Sequence, residues 1–227
     1  MSVRIHAQLS GIRVSTTRVG TLDVPAAEPI SFDVFFDYAC PYVYRASVLL
    51  DAVRRPGGRN LDVRWRYFSL TQVNTKDDGW TVWEAPPSEL VRGRLAFAGS
   101  EAARRQDRFE AFHRALLEAR HVDRREIDDR EVIDGVAEKA GLDLERFAAD
   151  LADPTILERL AADHREAVTR FGVFGTPTFV FDDGASAYVR LAEPVGAEGA
   201  MDVFDRLLSV AASEPRILEI KRPRKPA

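Results

Sequence analysis

The sequence predicts a mixed α/β fold in which a strand–helix–strand unit and a strand–strand–helix unit are separated by a helical block. Three observations carry this reading. Apolar residues alternate with polar ones over 30–36 and again over 61–67, with a helical stripe between the two runs. A helical pattern then runs through 88–172, and strand character returns only at Thr178.

Ile30, Phe32, Val34 and Phe36 alternate with Ser31, Asp33 and Asp37, the period of a strand. Phe35 breaks the polar series, so both faces of this strand are expected to be covered. Pro41 suits the first position of a helix, because its φ is preset and its missing N–H would have had no partner there. Val43, Ala46, Leu50 and Val53 form one stripe, and Pro56-Gly57-Gly58 stops the helix. Leu61, Val63, Trp65 and Tyr67 then alternate with Asp62, Arg64 and Arg66. A parallel pairing of these two strands implies a right-handed crossover.

Residues 70–87 read as a long loop, a length often tied to function. In the helical block Phe109, Phe112 and Leu116 share a stripe. Its last helix reads from Asp153 as N-cap and Pro154 at the next position, through Leu157, Leu160, Ala161, His164, Val168 and Phe171, to Gly172. A strand over Thr178–Asp182, a turn at Asp183-Gly184 and a return strand over Ala187–Leu191 follow. A final helix over Gly196–Ala211 turns Met201, Phe204, Leu207 and Leu208 inward. The chain thus divides into an extension (1–29), one domain built from 30–87 and 173–213, a helical insertion (88–172) and a basic tail (214–227), read as a solvated end.

Composition excludes several classes. Of 227 residues, 45% are apolar and the net charge is −4, which suits a core-forming protein and not a nucleic-acid binder. No stretch reaches the roughly 20 apolar residues of a membrane span, and the N-terminus lacks the apolar core of a secretory signal. The single cysteine, Cys40, precludes an internal disulfide, so the expected compartment is the cytoplasm. His6, His113, His121 and His164 are scattered without metal-site spacing, and no metal is expected.

The chemistry gathers at two motifs. Asp37-Tyr38-Ala39-Cys40-Pro41-Tyr42 follows the first strand and places Cys40 at a helix start. There the unsatisfied backbone N–H groups and the positive end of the helix dipole favour thiolate over thiol. The second motif is Gly172-Val173-Phe174-Gly175-Thr176-Pro177-Thr178-Phe179-Val180. In this order and spacing the pair resembles the active-site entry and cis-proline loop of the DsbA-like thioredoxin-fold oxidoreductases. The segment Phe112–Ile127 resembles the insertion of the cytoplasmic FrnE-type branch.

The resemblance implies a thioredoxin-like fold with the helical insertion between its halves. It implies Cys40 as the catalytic residue. Pro41, Tyr42, Thr176, a cis Pro177, Asn74 and Trp83 would contact substrate, with the Thr176 backbone pairing an extended chain. One departure matters. Dithiol members carry a second cysteine three residues on, where this chain has Val43. Storage of oxidising equivalents in an internal disulfide is then lost, leaving one-thiol chemistry that an external thiol must resolve. No tightly bound cofactor is expected. Glutathione or mycothiol would be co-substrate, the partner being a small thiol or disulfide or an extended peptide, and a homodimer is compatible with the fold. Two other readings stay open: a thiol-dependent transferase or isomerase resembling kappa-class glutathione transferase and 2-hydroxychromene-2-carboxylate isomerase, and a non-catalytic peptide-binding module.

Overall fold

A computed structural model describes residues 28–214, 216–220 and 222. Nearly all of the extension read over 1–29 and half of the 214–227 tail lie outside the described residues.

Strand β1 (Ile30–Phe36), helix α1 (Pro41–Val53) and strand β2 (Leu61–Tyr67) form the expected unit, with β1 and β2 parallel from Ile30–Leu61 to Phe36–Tyr67. Strand β3 (Thr178–Phe181) pairs antiparallel with β1, and β4 (Ser186–Tyr188) antiparallel with β3, giving the order β2-β1-β3-β4. Phe32, Val34 and Phe36 enter the main core, which helix α8 (Ala200–Ala211) closes through Phe204 against α1. Phe35 lies on the opposite face with Phe68, Ala167, Val173 and Val180. The apolar break in the first strand therefore marks a second, smaller core.

Six helices lie between β2 and β3: the short α2 (Leu70–Asn74), then α3 (Arg94–Arg104), α4 (Phe109–His121), α5 (Arg130–Lys139), α6 (Leu144–Ala152) and α7 (Glu158–Phe171). Gly99 lets α3 approach its neighbours closely: a Cβ there would sit 2.9 Å from Phe112 Cζ and 3.1 Å from Ile133 Cγ2. Helix α7 is bound to the sheet by Arg66 of β2. Its guanidinium donates to Asp163 (2.7 Å), Glu166 (2.6 Å) and Asp33 (3.1 Å), and Asp163 also accepts the Tyr67 N–H (3.1 Å). An outward backbone group of the edge strand is satisfied in this way. Among the described residues no helix is long and apolar enough to cross a membrane.

Four boundaries differ from the sequence reading. Residues 70–74 are helical, because the Ser69 hydroxyl accepts the Gln72 N–H and caps one turn inside the expected loop. Asp153 does not start α7. It is the C-cap of α6, and its carboxylate instead accepts the Thr155 N–H (2.8 Å) and pairs with Arg105 (2.7 Å), holding residues 154–157 in turns. These hydrogen bonds, the Thr155 backbone foremost, hold the Asp153 carboxyl at about 2. Strand β4 ends at Tyr188: Val189 still donates to the Pro177 carbonyl (3.0 Å), but the Leu191 carbonyl is taken by Arg45 of α1 (2.8 Å). Helix α8 starts at Ala200, after Gly199 at φ +81°, and of its inward set only Phe204 is fully buried, with Met201, Leu207 and Leu208 half-buried.

The Phe36 ring, fully buried, lies 5.1 Å from Tyr38, 5.5 Å from Trp65 and 6.4 Å from Phe97, joining the sheet to the helical block. Phe36→Ala is expected to cost about 3–5 kcal/mol of unfolding free energy, read as a lower urea midpoint at unchanged slope.

Candidate active site

The turn after β1 is closed by the Cys40 N–H donating to the Asp37 carbonyl at 3.0 Å, and α1 then begins with Pro41 at its first position. Cys40 is the N-cap residue, in extended conformation (φ −86°, ψ 116°). Its thiol donates to the carbonyl oxygen of Thr176 at 3.2 Å, across 136 residues of sequence. The Thr176–Pro177 peptide bond is cis. The two motifs read from the sequence are thus in direct contact.

Together they form one wall of a cleft of about 580 Å³, whose lining includes Cys40, Pro41, Tyr42, Thr71, Asn74 and Thr176. Asp37 anchors its floor. One carboxylate oxygen accepts the Ala39 N–H and the other the Leu70 N–H, each at 2.7 Å, so the cysteine turn is tied to the start of α2. Burial pushes the Asp37 carboxyl up to about 6, against the pull of those two N–H groups. From the insertion, His121 Nε2–H donates to the Tyr38 carbonyl at 2.9 Å, with the Tyr44 ring stacked on the imidazole at 5.8 Å. His113 is buried deeper, its Nδ1 3.1 Å from the Tyr38 hydroxyl, and burial pushes it down to about 3. His164 accepts the Ser69 N–H at 3.2 Å and is pushed down to about 4, again chiefly by burial. His113 and His164 therefore serve as neutral struts.

Not every expected contact residue reaches the cleft. Trp83 does not: it packs 5.5 Å from the His164 ring with the Arg165 guanidinium 5.4 Å above it. The reason is the Gln72 side chain. It donates to the Trp80 carbonyl and accepts the Val82 N–H, folding 80–83 back onto α2. Trp80 is likewise turned away and donates to Glu89 at 3.1 Å. Asn74 lines the cleft, but its amide is committed to the Leu70 carbonyl (2.7 Å). Pro177 is buried, with its carbonyl engaged by Val189, and adds no side chain to the lining.

Lining residues that the sequence reading did not single out include Arg92, Phe174, Tyr188 and Arg190. Phe174 is 68% exposed and pairs with the Tyr188 ring at 5.1 Å. Its position between two glycines of the second motif was a usable signal. Arg190 lies in what read as strand, where alternation does not distinguish a solvent-facing arginine from one turned over Tyr42.

The model for the DSBA-like thioredoxin domain matches residues 31–203. The chain belongs to this family. Uncharacterized protein Rv2286c of Mycobacterium tuberculosis is 27% identical over 199 residues, 86% of this chain and 83% of that one. Among solved structures, a probable DsbA oxidoreductase from Streptomyces coelicolor superposes with a TM-score of 0.55 at 25% identity, covering 87% of this chain and 94% of that one. The cytosolic disulfide reductase DsbM from Pseudomonas aeruginosa, solved with GSH, shares the fold at TM-score 0.55 and 20% identity, covering 79% of this chain and 99% of that one. The thioredoxin-like fold and the DsbA-type membership expected from the two motifs are both borne out.

The buried neutral histidines make the DsbA-like fold acid-sensitive. A base held at about 3 in the folded protein against 6.5 unfolded is protonated first in the unfolded chain, so stability is lost as pH falls from about 6.5 towards 3. Asp37, raised to about 6, works in the opposite sense between about 6 and 4. His113→Phe is expected to flatten the acid slope of unfolding free energy by about 1.4 kcal/mol per pH unit between pH 4 and 6, measured by urea unfolding across that range. An unchanged slope would show that His113 takes up its proton in the folded state.

Proposed function

We propose that this DsbA-family protein is a thiol–disulfide exchange enzyme working through Cys40 alone. The observation that carries the reading is the placement of the Cys40 thiol, which lines the cleft beside the Thr176 carbonyl while the position one helical turn on is the fully buried Val43.

The reaction balances without a redox cofactor. The Cys40 sulfur attacks a disulfide R–S–S–R′, a Cys40–S–S–R bond forms as S–S breaks, and R′–S⁻ leaves and takes up a proton. A second thiolate R″–S⁻ then attacks the R-bearing sulfur of the mixed disulfide, giving R–S–S–R″ as the Cys40–sulfur bond breaks and Cys40 leaves as thiolate, restoring it. A low-molecular-weight thiol, glutathione or mycothiol, supplies R″. The cytoplasm, where such thiols are held reduced, is the compartment this chemistry suits.

The test is intact-mass analysis after incubation with glutathione disulfide. One glutathione adduct per chain is expected, absent in Cys40→Ser and released by added reduced thiol. Absence of any adduct with glutathione or mycothiol disulfide would overturn the reading in favour of a non-catalytic binding module. A further outcome follows from Val43. In Val43→Cys the introduced thiol is expected to form a disulfide with Cys40 under mild oxidation, because residues one turn apart at a helix start lie within disulfide reach. Thiol titration of the oxidised variant should find no free sulfhydryl.

A further inference from the structure

We propose that the cleft beside Cys40 selects anionic, carboxylate-bearing thiols and disulfides, with Arg190 as the residue that anchors the carboxylate; this deepens the exchange reaction proposed above and rests on it. Arg190 follows β4 and comes back over α1, its guanidinium 4.1 Å from the Tyr42 ring centroid and donating to the Tyr42 phenol oxygen. Arg45 sits against the same ring at 5.1 Å. Stacking holds the planar fork in one orientation, so less freedom is lost when a carboxylate docks on its remaining N–H groups.

The charge of the cleft is the opposite of the charge of the chain. The whole protein carries −4, yet the lining contributes Arg92 and Arg190. The lining carboxylate, Asp37, is buried, with both oxygens already accepting backbone N–H groups. Asp37 and Asp128 act on Arg92 at a distance, whereas Arg190 pairs with a phenol and not with a carboxylate among the described residues. Many other arginines of the described chain are in ion pairs, Arg66 with three carboxylates at once. Arg190 is thus a cation of the cleft lining whose partners among the described residues are tyrosines and not carboxylates.

Two more features fit a small anionic occupant. The Phe174–Tyr188 pair lines the cleft with apolar surface for the carbon skeleton between sulfur and carboxylate. Thr176, 1% exposed and part of the lining, has a hydroxyl with no hydrogen-bond partner among the described residues, a group whose cost an occupant's polar atom would offset. The class selected is that of glutathione, whose ends are carboxylates. Mycothiol, a sugar thiol without a carboxylate, gains nothing from Arg190.

Three small disulfides that differ in charge test this: dithiodipropionate (anionic), bis(2-hydroxyethyl) disulfide (neutral) and cystamine (cationic). The rate of mixed-disulfide formation at Cys40 is measured for each and divided by the rate with free mercaptoethanol, which removes intrinsic reactivity. The normalised rates are expected to rank anionic, neutral, cationic, with an anionic-to-neutral ratio of about tenfold that shrinks with added salt. Arg190→Gln, at an exposed position, should bring that ratio close to one. Equal normalised rates in the unsubstituted protein, or a ratio that survives Arg190→Gln, would overturn the proposal. A second arm needs no chemistry: in the Cys40→Ser background, S-methylglutathione is titrated calorimetrically, and Arg190→Gln is expected to weaken it about tenfold. Arginine-dependent binding of S-methylglutathione without any adduct at Cys40 would sink the exchange reaction and uphold the anion-selecting cleft. Binding indifferent to Arg190 would sink the cleft's selectivity and leave the exchange reaction standing.

Discussion

Phe35 of β1 faces Thr178 of β3, and Phe32 faces Phe181. This short antiparallel ladder fixes the Gly175–Pro177 turn beside the end of β1, where the cysteine turn begins. Everything at the site follows from that registration. The Cys40 thiol reaches the Thr176 carbonyl because both leave the same end of paired strands. A slip of one residue would exchange the two faces of β3 and separate the motifs. The ladder is guarded on both sides: Phe32 packs on Phe179 and Phe181 in the main core, and Phe35 on Phe171 in the smaller one.

The helical insertion contributes to the site through buried polar contacts more than through a wall of its own. His121 holds the Tyr38 carbonyl, His113 meets the Tyr38 hydroxyl, and Asp128 accepts the Gly93 N–H at 2.8 Å with one carboxylate oxygen, next to Arg92 of the cleft. Polar groups this deep are stable only while each keeps its partner. On the far edge of the sheet Arg66 draws its three carboxylates together; the hydrogen bonds to Glu166 and Asp163 keep it charged well above the ordinary arginine range despite the opposing cost of burial. The insertion is thereby bound to β2 and to the cysteine turn at once.

How much of this was legible depends on the kind of signal. Alternation placed β1 and β2 to the residue, because one face of each meets a continuous core and polarity has no freedom there. The two site motifs were legible for a related reason: a Cys-Pro helix start and a Thr-Pro strand start are local backbone events that the sequence writes directly. What failed was anything decided by a side chain choosing between partners. Asp153 had the composition of an N-cap, but Arg105, far away in sequence, drew it into a turn. Trp83 had the character of a cleft wall, and Gln72 folded its segment the other way. Ser69 and Gln72 stand in the spacing of a capping box, so α2 was readable, but one turn is too short for periodicity to register. Arg190 was invisible because its role comes from Tyr42, and no period links residues 148 apart.

Val43 joins these lines. In a dithiol enzyme the position one turn after the nucleophile has to face the first sulfur and stay reachable from it. Here that position is a valine, fully buried in the core, and it offers no sulfur. In the exchange reaction proposed for Cys40, the second sulfur comes from outside and has to arrive in an orientation that allows attack along the S–S axis. An internal cysteine has that orientation by covalent attachment; an external thiol needs a handle remote from its sulfur. A carboxylate on the stacked fork of Arg190 is such a handle, because it holds the thiol by its far end and leaves the sulfur free to move. On the proposed reading, the valine at position 43 and the arginines of the cleft belong to one arrangement, in which binding energy at Arg190 stands in for the proximity that a second cysteine would supply.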